Sequence, residues 1–328
     1  MEKMENEKNF KYLNVEFDEH EHCDEEHCGH HHHHHEHEQV EISKYESAFK
    51  KFDLKIDDET VCKRVHVLVE RDKEIIKDKQ TLIYIFNSIE LTTLKETDNE
   101  DSVFKLINQV NEIDTKHPEW GNVATVCVYP VFAELCHDNI ENEKVKVACV
   151  SGGFPSSQTF SEIKIAETAM ALHEGADEID MVMSVGTFLS EDYETVADEI
   201  EEMKEVCREH HLKVILETGS LPNLTAVKKA AIIAMYSGAD FIKTSTGKAG
   251  SGATPETVYV MCEAAKEYHR LTGRKVGIKV AGGVRTTEEA VAYYAIVKEM
   301  LGKEWLENKL FRIGASSLLN DIIRNIES

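Results

Sequence analysis

Nowhere in these 328 residues is there an apolar run of the roughly twenty residues that a membrane-spanning helix needs, so no membrane span is expected. The opening MEKMENEKNF has no apolar core of the secretory kind, and a cytoplasmic location is expected. Basic residues are outnumbered, with 37 Lys and Arg facing 61 Asp and Glu for a formal charge of −24. A chain so short of cations cannot neutralise a phosphate backbone, which excludes nucleic acid as the main partner. A small phosphorylated molecule needs only one local set of donors and stays compatible. Cysteine is sparse and unpatterned: Cys23, Cys28, Cys62, Cys127, Cys136, Cys149, Cys207 and Cys262 are scattered along the chain. Without a secretory leader they read as reduced thiols, most of them core filler.

What is present falls into two parts. Residues 1–60 hold 18 acidic and 7 basic side chains, contributing −11, and the rest of the chain contributes −13. Ten of the 17 histidines lie between His20 and His37. This tract has almost no apolar residues to offset chain entropy, so residues 1–40 are expected to be a disordered tail. Its run His30, His31, His32, His33, His34 and His35 resembles an expression tag, but it sits inside a longer His/Glu/Cys segment and reads as native. Imidazoles with Cys23 and Cys28 suit zinc, nickel or copper, yet the spacing fits no closed zinc site, and only weak metal affinity is expected. Residues 41–81 are charged, with Val61, Val65, Leu68 and Val69 at helical spacing, and are expected to form a helical extension.

From Leu82 to Ser328 short β-branched runs alternate with amphipathic stretches. The predicted strands are Tyr84–Leu91, Val123–Tyr129, Val145–Ser151, Glu178–Ser184, Leu212–Thr218, Asp240–Ser245, Lys275–Ala281 and Leu310–Gly314. The predicted helices include Ser161–Glu174, Asp192–His211, Leu224–Ser237, Pro255–Leu271 and Thr287–Leu301. Gly175, Gly238, Gly273 and Gly302 fall where helices should end. Eight strand–helix units of this size match an α/β fold of the closed (β/α)8 TIM-barrel kind, with a doubly wound open sheet as the alternative.

Catalytic groups of such barrels stand at the C-terminal ends of the strands. There the sixth predicted strand offers Lys243 and the seventh Lys279, both in the phase that points inward, and the fourth offers Asp180. Two ammonium groups in one cavity repel, and burial disfavours their charge, so at least one amine should titrate low. A neutral amine suits Schiff-base chemistry on a carbonyl, and Asp180 would balance charge and relay protons. The same residues also fit a purely structural ion network. Lys248 is expected to join the two lysines in the interior, with Arg285 in the loop beyond.

Gly282-Gly283-Val-Arg285 after the seventh strand and Gly314-Ala-Ser316-Ser317 after the eighth are glycine-bordered turns at helix starts. Such turns present backbone N–H groups and a favourable dipole to an anion, and phosphate is expected there, with Lys248, Ser316 and Ser317 as further donors. The stretch Gly247–Gly252 fits no nucleotide-binding spacing and reads as a flexible loop. Cys127 reads as a core thiol, and His173, His210 and His211 as helix-end residues.

Taken in order, Leu91-Thr-Thr-Leu94, Val126-Cys-Val-Tyr-Pro130, Gly153-Phe-Pro155, Glu178-Ile-Asp180, Phe241-Ile-Lys-Thr-Ser-Thr-Gly-Lys248, Gly282-Gly-Val-Arg285 and Gly314-Ala-Ser-Ser317 resemble the deoxyribose-phosphate aldolase family. These are class I aldolases on a (β/α)8 barrel, and the resemblance runs from about Leu82 to Ile326. It implies reversible cleavage of 2-deoxy-D-ribose 5-phosphate to acetaldehyde and D-glyceraldehyde 3-phosphate, without metal or other cofactor. It further implies Lys243 as the Schiff-base lysine, Lys279 as the neighbour that lowers its pKa and Asp180 as the proton relay. Glu90, Thr92 and Gly247 join the substrate contacts on the same basis. Small phosphorylated sugars and aldehydes are the implied partners, and homo-oligomerisation is compatible with the sequence.

Three departures qualify the resemblance. Glu90 stands where the family usually has Asp, which puts its reach to substrate hydroxyls, and the substrate preference, in question. Val280 replaces the common Pro or Ala, a packing change. The end Arg324–Ser328 offers no tyrosine, and a slower proton-transfer step is expected. The alternatives are a Schiff-base sugar-phosphate aldolase acting on another aldehyde, or a metal-buffering protein acting through the histidine tract.

Overall fold

In the computed structural model the described residues are 44–328; the histidine tract, Cys23, Cys28 and the expected disordered tail lie outside them. Three helices precede the first strand: α1 (Lys44–Phe49), α2 (Asp58–Asp72) and α3 (Lys79–Phe86). Eight parallel strands then close into a barrel, each hydrogen-bonded to its sequence neighbours and the last to the first. They are β1 (Ile89–Thr92), β2 (Thr125–Val128), β3 (Lys146–Ser151), β4 (Glu178–Val182), β5 (His211–Ile215), β6 (Phe241–Lys243), β7 (Gly277–Ala281) and β8 (Phe311–Ala315). The returning helices are α4 (Glu100–Lys116), α5 (Ala133–Asn139), α6 (Ser161–His173), α7 (Val185–Leu189), α8 (Tyr193–Cys207), α9 (Leu224–Tyr236), α10 (Pro255–Thr272), α11 (Thr287–Leu301) and α12 (Leu318–Glu327). The closed TIM barrel expected from the alternation is therefore the fold, and the open sheet is not.

Local chemistry explains most boundaries. In α10, Thr254 and Thr257 form a reciprocal capping box, Pro255 occupies the first turn, and Gly273 ends the helix in the left-handed region. Gly175, Gly238 and Gly302 likewise have positive φ at or just past helix ends.

Two expectations fail. Tyr84–Phe86 belong to α3 rather than to the first strand, which starts at Ile89. Asp78 accepts from Gln80 N to start that helix, and Leu82, Ile85 and Phe86 form its buried face. A short apolar run fits either period, and packing decided for the helix. His211 is not a helix-end residue: α8 stops at Cys207, and His211 opens β5. His173 does close α6, and His210 lies in the turn before β5 with Nδ1 3.1 Å from Asp177 O.

One large hydrophobic core fills the space between strands and helices and includes Tyr45, Phe49, Phe52, Val61, Val65 and Leu68 of the N-terminal extension. Each such fully buried side chain contributes about 1.5–3 kcal/mol of transfer free energy. Lys228 of α9 is buried and ties the extension down, donating to Asp53 O at 2.7 Å while pairing with Glu263 and Glu267. Inside the barrel Cys127, Ala148 and Val150 meet Leu94 in a small apolar cluster, and Phe241 lies against Arg312. Glu90, Asp180, Lys213 and Lys279 are buried there as well.

Candidate active site

Side-chain alternation puts Glu178 and Asp180, two residues apart on β4, on the same inward face. Lys213 of β5 is in register with Asp180, and Lys243 of β6 is in register with both Ile215 and Lys279. Lys279 is level with Arg312 of β8. The stagger of the strands raises Lys243 one layer above Lys213, towards the C-terminal mouth.

These groups form one buried array. Lys243 Nζ donates to Asp180 Oδ2 at 2.7 Å, and Lys279 Nζ donates to the same oxygen at 2.5 Å. Lys279 also bonds Glu90. Lys213 Nζ lies 2.7 Å from Glu178 and 2.8 Å from Asp180, with Glu90 at 3.5 Å. Arg312 bonds Glu178 and Glu90, both at 3.0 Å.

Three carboxylates thus face four cationic side chains, and the array is neutral if one cation gives up its proton. Geometry selects which one. Lys213 and Lys279 each bond at least two carboxylates, and Arg312 does the same, whereas Lys243 has only Asp180 and shares that oxygen. Burial holds the Lys243 amine below the ordinary lysine range, and repulsion from Lys279 adds to it, against the attraction of Asp180. For Lys213 and Lys279 burial acts the same way, but their carboxylates outweigh it and raise both. Burial would push the Asp180 carboxyl up; Lys213, Lys243 and Lys279 overcome this and hold it well below its usual range.

Above the array is a cavity of about 300 Å³. It is lined by Lys243 and by Thr92 at the end of β1, with Thr246, Gly247 and Lys248 after β6. Gly282, Gly283 and Arg285 after β7, Gly314 on β8 and Ser316 just beyond it also line the cavity. The hydroxyls of Thr244 and Ser245 both donate to Ala281 O at 2.8 Å, locking the ends of β6 and β7 together. Gly282 is held against this junction: with φ +89, a Cβ there would lie 2.2 Å from Ser245 Oγ and 2.9 Å from Gly252 Cα. The stretch read as a flexible loop is therefore anchored at its end, where Ala253 N also donates to Gly282 O at 3.0 Å. A larger cleft of about 760 Å³, between α2, α10 and α11, contains none of these groups.

The residues singled out in the sequence thus separate into levels. Asp180, Lys279 and Glu90 lie buried beneath the cavity, and Lys243 reaches it. Lys248 is on the rim, paired with Glu96 at 2.9 Å, rather than in the interior with the other lysines, because its loop has already left the barrel. Ser317 is exposed at the start of α12 and does not line the cavity. Sequence reasoning missed Lys213 and Arg312 altogether. The signal was present, since each is a charged residue in the middle of an apolar strand, the criterion that singled out Lys243.

Among the described residues, Glu90, Cys127 and Asp180 alone bring three potential metal-ligand atoms within 4.8 Å of one another. Lys279 already bonds both carboxylates, so a divalent cation would have to displace an ammonium group there. Burial pushes the Cys127 thiol up, as it does Cys136 and Cys207, both to about 12, consistent with inert core thiols.

Residues 84–323, which include all eight strands, match the DeoC/LacD family aldolase profile. The human deoxyribose-phosphate aldolase is 39% identical over 283 residues, spanning 80% of this chain and 88% of the human one. The mouse deoxyribose-phosphate aldolase is 47% identical over 208 residues, spanning 62% of this chain and 64% of its own. Of solved structures, that of the aldolase QR15 is similar with a TM-score of 0.61 at 30% identity, over 73% of this chain and 96% of its own. The deoxyribose phosphate aldolase of Aeropyrum pernix shares the fold, with a TM-score of 0.62 at 24% identity over 79% of this chain and 98% of its own. With the barrel, the paired lysines and this span of similarity established, the chain belongs to the DeoC/LacD family of aldolases.

Proposed function

We propose that the protein is a class I aldolase that reversibly cleaves 2-deoxy-D-ribose 5-phosphate to acetaldehyde and D-glyceraldehyde 3-phosphate through a Schiff base on Lys243. One observation carries the reading: of the three interior lysines, only Lys243 opens onto the cavity and is held below the ordinary lysine range. The relatives named above supply the substrate class.

Neutral Lys243 Nζ attacks the aldehyde carbon of the open-chain sugar, and loss of water gives a protonated imine. That imine is the electron sink: the C2–C3 bond breaks as the 3-hydroxyl gives up its proton, releasing glyceraldehyde 3-phosphate and leaving an enamine. Protonation of the enamine carbon and hydrolysis then release acetaldehyde and return the amine. Asp180 and Lys279, hydrogen-bonded to each other beneath Lys243, are the groups to hold and move these protons through a bound water. The phosphate is read into the glycine-bordered turns at Gly282–Gly283 and Gly314–Ser316, with Lys248 and Arg285 beside them, turning remote binding into orientation. Glu90 is read as supporting Lys279, to which it is bonded, instead of reaching a substrate hydroxyl.

The electron sink is the imine itself, so the reading calls for no cofactor, and chelation should leave activity unchanged. A cytoplasmic location is proposed and fractionation tests it; separately, no described helix is long and apolar enough to cross a membrane. Residues 1–40 are read as separable from the chemistry, so their deletion should retain turnover. A homo-oligomer is the assembly proposed, by analogy with the tetrameric Aeropyrum pernix protein, and light scattering tests it. Borohydride with acetaldehyde or deoxyribose 5-phosphate should trap an adduct on Lys243 that Lys243→Ala abolishes. An adduct on another lysine would sink the mechanism.

A further inference from the structure

We infer that Glu217 is a positioning residue: its carboxylate shapes the rim turn Thr246–Lys248 and so governs affinity for the phosphorylated end of the substrate. This rests on the Schiff-base reading of Lys243.

Glu217 lies two residues beyond β5, is 5% exposed, and adopts the left-handed region with φ 51 and ψ 54. That backbone is uncommon for a residue with a Cβ and is retained where surrounding structure enforces it. Here Ser220 N donates to Glu217 O at 2.8 Å and Thr218 N to Thr244 O at 2.9 Å, closing a tight turn against the end of β6. The turn is seated on the loop after β6: a Cβ at Gly219 would lie 2.2 Å from Ser251 Oγ.

The carboxylate is equally unusual. Among the described residues all its hydrogen bonds go to Thr246, and no cation pairs with it. A buried acid without a cation is costly, and this one coincides with the unusual backbone at the mouth of the barrel.

The bonds have a defined sense. Thr246 Oγ1 has one proton and donates it to Glu217 Oε2 at 2.5 Å, and Thr246 N points at both carboxylate oxygens at 3.3 Å. The lone pairs of that hydroxyl are thereby turned to Lys248 N–H, which donates to it at 3.0 Å. Gly247, at φ +74, is held between them. Thr246, Gly247 and Lys248 all line the cavity with Lys243, whereas Glu217 does not. The carboxylate therefore acts through the turn. Without it the hydroxyl proton is free to seek another acceptor, the turn loosens, and Lys248 is left with Glu96 as its anchor.

The test measures KM and kcat for deoxyribose 5-phosphate, kcat/KM for unphosphorylated 2-deoxyribose, and borohydride trapping with acetaldehyde. In Glu217→Ala the KM for the phosphorylated sugar should rise by about tenfold or more, the scale of one charge-assisted hydrogen bond, with kcat within about threefold. Activity on the unphosphorylated sugar and trapping on Lys243 should hold. Glu217→Gln keeps acceptors for the hydroxyl and should restore most of the affinity. Thr246→Val removes the hydroxyl but leaves Glu217 in place, and should reproduce the KM rise even if Glu217→Ala does not fold. Parallel losses on both substrates, or an unchanged KM in both Glu217→Ala and Thr246→Val, overturn the inference. If the wild-type protein traps no adduct on Lys243, the Schiff-base reading fails and takes this inference with it.

Discussion

Lys243 and Lys279 stand in register on adjacent strands and donate to one and the same oxygen, Asp180 Oδ2. Lys279 has a second carboxylate in Glu90, and Lys243 has none. This asymmetry makes Lys243 the easier of the two to deprotonate. It distinguishes two chemically identical side chains on geometry alone.

Lys279→Met should move the pH dependence of imine formation to higher pH. In the proposed mechanism the reactive form of Lys243 is the neutral amine, which accumulates as pH rises through its lowered pKa. Removing Lys279 removes a repelling charge and leaves Asp180 Oδ2 to Lys243, with Lys213 still on Oδ1, and both effects raise that pKa. Near neutral pH the trapping rate should fall about tenfold for each unit of the rise, and recover in alkali. An unchanged profile would show that the neighbour does not tune the amine.

Asp180→Asn keeps the shape and removes the charge. Lys243 then loses the attraction that favours its protonated form, so imine trapping with acetaldehyde should persist. Turnover should fall by about 10²–10⁴-fold, the usual contribution of a positioned acid–base group. Loss of trapping and turnover together would assign Asp180 to structure rather than proton transfer.

Lys213→Met leaves three buried carboxylates short of a cation and should cost about 3–5 kcal/mol, read from urea unfolding. The pH dependence has a definite sign. Glu178 and Asp180 are both held well below their ordinary values in the fold, although burial alone would raise them. Their stabilising contribution is full above their unfolded pKa values, near 4, and is lost as pH falls towards the folded ones. Weakening that depression in Lys213→Met should move acid unfolding to a higher pH.

Gly282→Ala places a methyl against Ser245 and Gly252 in a backbone region that disfavours any Cβ. A loss of about 1–3 kcal/mol in stability is expected, together with weaker binding of the phosphorylated sugar, measured as KM. Gly283, with open space around its Cβ position, should tolerate the same change with less disturbance to its neighbours, its positive φ being the remaining strain.

The limits of legibility follow from the range of the interactions. Glycine ends and the alternation of short β-branched runs act over a few residues, and the glycine readings hold where α10 and α11 end at Gly273 and Gly302. Tyr84–Phe86 went wrong because three apolar residues in a row satisfy either period until a neighbour packs on one face. Lys213 and Arg312 are visible as charges in strands, but their partners are 33 and 222 residues away in the chain. No local pattern reports such a pairing.

By itself the sequence determined the alternating strands and helices, the inward phase of Lys243, Lys279 and Asp180, and the glycine turns of the cavity, because each depends on local backbone preference or period. Only the tertiary structure decided which lysine has a single carboxylate, that Lys248 is on the rim, and that Glu217 reaches Thr246. Those outcomes depend on strand stagger and barrel closure, which bring distant residues to one level. Lys213 pairs with Phe241, two residues before Lys243, and that register belongs to the pairing of β5 with β6, not to either strand alone.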